Sequence, residues 1–178
     1  MYFLQMAGSP GCGKSTLARE IGIKTNAVVI DHDIIKSAYM ESTNDSDNLY
    51  AGKVSYNIDW SLIDFHLSQG FNVIFDSPCF YDVIIPKGKE LAMRHNAEYK
   101  YIECYLNDIQ EVDRRLRTRE PMRCQYTALP EGEEGERYKR GFNKSIRPDT
   151  EYIAIDTSYP IDSYMERVLD YIGRVKTS

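Results

Sequence analysis

The chain of 178 residues carries 22 Lys and Arg against 27 Asp and Glu, a net charge of −5, with 42% apolar and 28% charged residues. That is the composition of one folded domain with its own core; no apolar run approaches the ~20 residues needed to span a bilayer. The acidic balance argues against a long nucleic-acid partner, whose affinity comes mostly from phosphate neutralisation by Lys and Arg.

The first residues have no basic stretch and no cleavage site, so a removed signal peptide is not expected. Cys12, Cys79, Cys104 and Cys124 are scattered without paired metal-ligand spacing and read as free thiols of a reduced, cytoplasmic protein. Tyr2–Ala7 is an apolar run ending at glycine, a buried strand, and Leu17, Ala18 and Ile21 place a helix over Ser15–Lys24. Ala27–Ile30 is a second strand, with Asp33 placed to cap a helix through Met40. Residues 41–50 read as a polar loop. A helix follows from Val54 to Gly70, its C-cap. Phe71–Phe75 is a third strand, a weaker helix runs to about His95 with Pro86 limiting its start, and Tyr99–Leu106 is a fourth strand. Asp108–Glu120 is a charged helix. From Pro121 to Pro148 no period holds, and the acidic 131–136 reads as a mobile surface loop. Tyr152–Ile155 is a fifth strand and Ile161–Val175 a last amphipathic helix. Alternating strands and helices imply a three-layer α/β/α sandwich with a five-stranded, mostly parallel sheet, in a single domain with ligands beyond the carboxyl ends of the strands.

Three stretches begin at those ends. Gly8, Gly13, Lys14 and Ser15 fill the pattern G-x-x-x-x-G-K-[ST]. With Gly11, Cys12 and Thr16 they form a nucleotide cradle in which backbone N–H groups surround the phosphates. Lys14 reaches the β- and γ-oxygens of ATP and Ser15 ligates Mg²⁺. Asp33 is placed to accept the proton of an attacking hydroxyl, with Asp31 as the fallback carboxylate and Lys36, one turn on, able to hold a substrate anion. Asp33 as a mere helix cap is the competing reading, and His32 reads as a pocket or surface residue. Asp76 occupies the strand-end position of a metal-holding carboxylate, and Ser77, Phe80 and Tyr81 follow at the mouth of the cleft as substrate contacts. Arg114, Arg115, Arg117, Arg119 and Arg123 form the densest positive region. One or two of them are expected to stabilise charge on a transferring phosphate; Arg115 and Arg119 are the choice, and the others read as a solvated face. Cys12, inside the phosphate loop, suggests that oxidation blocks ATP.

With these residues in place the chain resembles the small P-loop kinases related to polynucleotide kinase, zeta toxin and gluconate or adenylylsulfate kinases. The resemblance implies Asp33 as the base within "DHDIIK", which looks like the D-x-x-R of the polynucleotide-kinase hydroxyl site, with Lys36 in place of the arginine. It also implies an arginine-bearing lid at 114–123 and an adenine site near Arg147 and Pro148, and the unpatterned, arginine-rich segment of about 114–148 is suited to closing as that lid. The leading expectation is an ATP- and Mg²⁺-dependent phosphotransferase acting on a small-molecule hydroxyl. A short nucleic-acid 5′-hydroxyl end is the alternative acceptor, and an NTP-hydrolysing switch or a binding-only module are the alternative classes. No N-K-x-D signature is present, and D-x-x-G does not follow Asp76.

Overall fold

The computed structural model describes residues 1–43, 47–141 and 146–173. Its strands are β1 (Tyr2–Ala7), β2 (Val28–Asp31), β3 (Val73–Asp76), β4 (Glu98–Tyr105) and β5 (Ile153–Asp156). They pair in the order β2-β3-β1-β4-β5, and every pairing is parallel. Seven helices are seen among the described residues: α1 (Lys14–Thr25), α2 (His32–Thr43), α3 (Asn48–Ser68), α4 (Ile84–Arg94), α5 (Ile109–Thr118), α6 (Gly132–Gly141) and α7 (Asp162–Gly173).

The side-chain alternation of β1 divides the core in two. Tyr2, Leu4 and Met6 face Leu17 and Ile21 of α1, Val112 and Leu116 of α5, and Val168 and Ile172 of α7. Phe3 and Ala7 face Ile63 and Leu67 of α3 and Ile84 and Leu91 of α4. A sheet buried on both faces must draw its strands from nearly continuous apolar runs, which is what made them legible. The exception is Gln5, fully buried on the second face. Its amide donates to Cys79 Sγ at 3.0 Å and accepts from the Tyr99 hydroxyl at 2.8 Å.

Several expected boundaries move. The segment 41–50 is helical at both described ends, because Asp47 caps α3 by accepting from the N–H groups of Leu49 and Tyr50, each at 3.0 Å. Residues 44–46 lie outside the described residues, as do 174–178, where the last helix was expected to end. Gly70 does end α3: at φ 82° it gives its N–H to Leu67 O, while Phe71 N–H reaches back to His66 O. The acidic segment 131–136, expected as a loop, enters helix α6. No helix among the described residues is long and apolar enough to cross a membrane.

Candidate functional site

At the end of β1 the chain must turn sharply beneath β4. A Cβ on Gly8 would come within 2.3 Å of Cys104 O, and Gly11 and Gly13 hold φ values of 83° and 81° that side chains disfavour. Helix α1 then opens at Lys14 with no side chain capping it. Its first N–H groups therefore face the loop without a side-chain acceptor, and the positive end of the helix dipole points the same way. This is an anion cradle. Cys12 is wholly buried behind it, and burial pushes its thiol up to about 11 despite the nearby Lys14 charge. Such a thiol is protonated at neutral pH and shielded, which removes the expected oxidation switch.

Two carboxylates end adjacent strands, Asp31 of β2 opposite Asp76 of β3. Asp76 is buried and receives Lys14 Nζ at 2.5 Å on one oxygen. Burial alone would lower the pKa of the lysine, but the charges of Asp76 and Asp33 outweigh it and raise it. Lys14 is thus a fixed cation. The second Asp76 oxygen is buried without a partner. Magnesium is usually held by one or two carboxylates together with phosphate oxygens and water. The orphaned Asp76 oxygen and the hydroxyl of Ser15 in the cavity wall fit that donor set, although the described residues hold no cluster of three or more His, Cys, Asp or Glu.

The two aspartates near α2 divide their work differently from the sequence-based expectation. Asp31, not Asp33, caps the helix: its Oδ1 accepts from the N–H groups of Asp33 at 3.0 Å and Ile34 at 3.4 Å. Its other oxygen receives Arg19 at 3.3 Å. Asp33 lines the cavity, and its Oδ2 accepts from Gln125 Nε2 at 2.7 Å. The next residues tie the same segment to α2, since Cys124 N–H donates to Ser37 Oγ at 3.2 Å. His32 is buried against Asp59, Nδ1 to Oδ2 at 2.6 Å, with Tyr56 stacked on its ring at 4.0 Å.

One cavity of about 1210 Å³ joins the cradle to Asp33. A typical small-ligand pocket is about 300–1,000 Å³, so there is room here for two ligands. Lys36, Phe80 and Tyr81 line it. Ser77 does not: it is fully enclosed, and the cavity is met instead by Pro78, Phe80 and Tyr81. One face of α3, with Gly52, Lys53, Tyr56 and Trp60, completes this end. Helical spacing within α3 carried that signal, but nothing in the sequence aimed the stripe at Asp33.

Of the five arginines, Arg114 and Arg117 are exposed and pair within their own helix, with Glu111 and Asp113. Arg115 and Arg119 both reach the cavity, as does Arg123. Arg115 donates to Thr157 O at 2.9 Å, and its guanidinium stands 3.5 Å from where a Cβ on Gly13 would be. Thr157 in turn donates to Cys12 O at 2.7 Å, so α5, the phosphate loop and the turn after β5 are bound together. Arg119 donates to Tyr126 O at 2.8 Å, while its Nε is buried without a partner; burial, partly offset by Asp33, lowers its pKa. The helix ends earlier than expected, at Thr118, and Arg119 is already extended.

Arg147 and Pro148 are not in the cavity wall. Tyr101 OH donates to Ile146 O and holds this segment against the α3–α4 side of the sheet, where Arg147 pairs with Glu103 at 2.8 Å. Beside the phosphate loop the cavity wall comes instead from Thr157, Tyr159 and Ile161 of the stretch after β5 and from Tyr164 of α7. Of the lid expected over 114–148, the described part is the end of α5, an irregular stretch and α6. Residues 142–145 lie outside the described residues.

A family model described as an AAA domain matches residues 4–143. No curated protein matches the sequence. A structure from Chloroflexus aurantiacus J-10-fl, provisionally named a kinase, superposes with a TM-score of 0.76 at 14% identity, covering 96% of this chain and 97% of that one. A sugar kinase from Janibacter sp. HTCC2649 gives 0.67 at 14% identity, covering 97% and 94%. The adenylylsulfate (APS) kinase of Mycobacterium tuberculosis, in complex with AMPPNP and APS, gives 0.65 at 14% identity, covering 97% and 98%. The fold is that of the small P-loop kinases.

Proposed function

The chain belongs to the AAA domain family, and on that premise we propose that it is a kinase moving the γ-phosphate of ATP to a hydroxyl of a small molecule. The observation that carries this is one continuous cavity lined at one end by the phosphate cradle and at the other by Asp33. A hydrolase needs only a water beside the γ-phosphate, whereas a transferase needs room for a second substrate. The likeness to kinases named for sugar and adenylylsulfate acceptors adds support.

In this reading the N–H groups of Gly11 and Gly13–Thr16 hold the phosphates, and Lys14 turns from Asp76 toward the β- and γ-oxygens. Ser15 and Asp76 hold Mg²⁺, which when bound neutralises phosphate charge. The acceptor oxygen forms its bond to the γ-phosphorus as the bond to the β–γ bridging oxygen breaks, and the acceptor proton passes to Asp33. Gln125 keeps Asp33 turned to the hydroxyl. Arg115 and Arg119 stabilise charge on the moving group.

The test follows labelled γ-phosphate from ATP into a panel of acceptor alcohols. Asp33→Asn is expected to slow transfer about 10²–10⁴-fold while leaving ATP affinity intact. A wild-type rate in that variant, or ATP loss that no acceptor stimulates, rejects the proposal.

A further inference from the structure

The cavity holds more positive charge than a triphosphate needs. Lys14 and Arg115 stand at the phosphate loop, and Arg19 is engaged by Asp31. Lys36 and Lys53 are on other elements, α2 and α3, and both line the cavity. Among the described residues neither has a carboxylate partner, in a chain whose acidic residues outnumber its basic ones. The ammonium of Lys36 lies 3.7 Å from where a Cβ on Gly52 would stand, so it reaches over the bare backbone of α3 next to Lys53. Two cavity-lining cations on facing elements suit an anionic group of a bound ligand.

Aromatic surface lies beside them. Tyr56 and Trp60 follow Lys53 at helical spacing on the same cavity-lining face of α3. Tyr81 meets Tyr56 edge-on at 6.0 Å and is 54% exposed, and Phe80 beside it is 42% exposed. The exposed rings of Tyr81 and Phe80, beside the partly buried Tyr56 and Trp60, are suited to packing against a ring.

We propose that the acceptor is a hydroxyl compound carrying both a flat ring and an anionic group, phosphate or carboxylate. The ring packs against Tyr56, Trp60 and Tyr81, the anion lies between Lys36 and Lys53, and the hydroxyl points to Asp33. Asp33 and Lys36 lie three residues apart on α2, about 4.5 Å along its axis, so one small molecule spans both. Only the destination of the hydroxyl rests on the phosphotransferase reading; the ligand class rests on the lysines and the aromatic wall.

Trp60 is the single tryptophan of the chain, and its emission reports this end of the cavity directly. The full chain, with AMPPNP and Mg²⁺ saturating the phosphate loop, is titrated with four probes. These are benzyl alcohol, 4-(hydroxymethyl)benzoate, 4-(hydroxymethyl)phenyl phosphate and glycerol 3-phosphate. At least one of the two charged aromatic alcohols is expected to bind about 10-fold or more tighter than either benzyl alcohol or glycerol 3-phosphate. The arm that wins identifies the anion. In Lys36→Gln/Lys53→Gln its Kd is expected to rise about 10-fold or more while that of benzyl alcohol is unchanged. Equal binding of charged and neutral aromatic alcohols, or glycerol 3-phosphate binding as tightly as its aromatic counterpart, overturns the proposal. So does a double variant that weakens benzyl alcohol as much as the charged probes. If the expected pattern appears but no probe ever receives labelled phosphate, the ligand class stands and the kinase reading falls. Transfer to acceptors without this binding preference has the opposite meaning.

Discussion

At the phosphate end of the cavity the cradle comes from one unbroken stretch, Gly8–Thr16, to which Asp76, Arg115, Tyr138 and Thr157 are brought from elsewhere. At the acceptor end Asp33 is met by Gln125, 92 positions further along, and by a stripe of α3. Backbone N–H groups recognise phosphate, and a contiguous loop suffices to aim them. An acceptor is recognised by side chains, which only tertiary folding gathers. The first end is therefore generic and the second specific to this chain.

The largest expected effect breaks the generic end. Lys14→Ala should reduce phosphotransfer about 10³-fold or more, measured as kcat with labelled ATP. It also leaves Asp76 buried and unpaired, at a cost of about 3–5 kcal/mol read as a lower Tm. Lys14→Arg keeps the charge and should recover most of the stability, but not the rate. The specific end should respond more gently. Gln125→Ala removes one hydrogen bond to a charged oxygen, worth about 1.5–3 kcal/mol. If that bond orients Asp33 in the transition state, kcat falls about 10-fold or more with ATP Kd unchanged. An unchanged kcat would make Gln125 a bystander.

A comparison within one element sharpens the contrast further. Arg115→Ala is expected to cost about 10²-fold in kcat, whereas Arg114→Ala, one position away and facing solvent, should stay within about 2-fold. Smallest of all, mild peroxide should leave ATP binding unchanged, because Cys12 is enclosed and its thiol protonated. Peroxide inhibition that Cys12→Ser abolishes would contradict this.

The strands were legible to within one or two residues because both faces of the sheet are buried, and the phosphate loop because its residues are contiguous. Helix α6 was not: three glycines and a run of acidic residues predict a loop. Tertiary contacts override that propensity. Gly135 is buried so closely against Pro130 O that a Cβ there would lie 2.2 Å from it, and Tyr138 donates to Pro10 O at 2.8 Å. Arg147 misled for a related reason. It follows the irregular segment in the chain, but the Tyr101 hydroxyl anchors its neighbour to the far side of the sheet. Asp31 and Asp33 were separable only once the cap was visible, since either spacing suits the start of α2.

The bond between Tyr138 and Pro10 has a consequence for timing. Pro10 belongs to the loop that receives the phosphates, and Tyr138 to a helix 128 positions away. Any shift of that loop when nucleotide arrives or departs pulls on α6 directly. If nucleotide binding moves the loop, the amide exchange of α6 should slow when AMPPNP binds, before any acceptor is present.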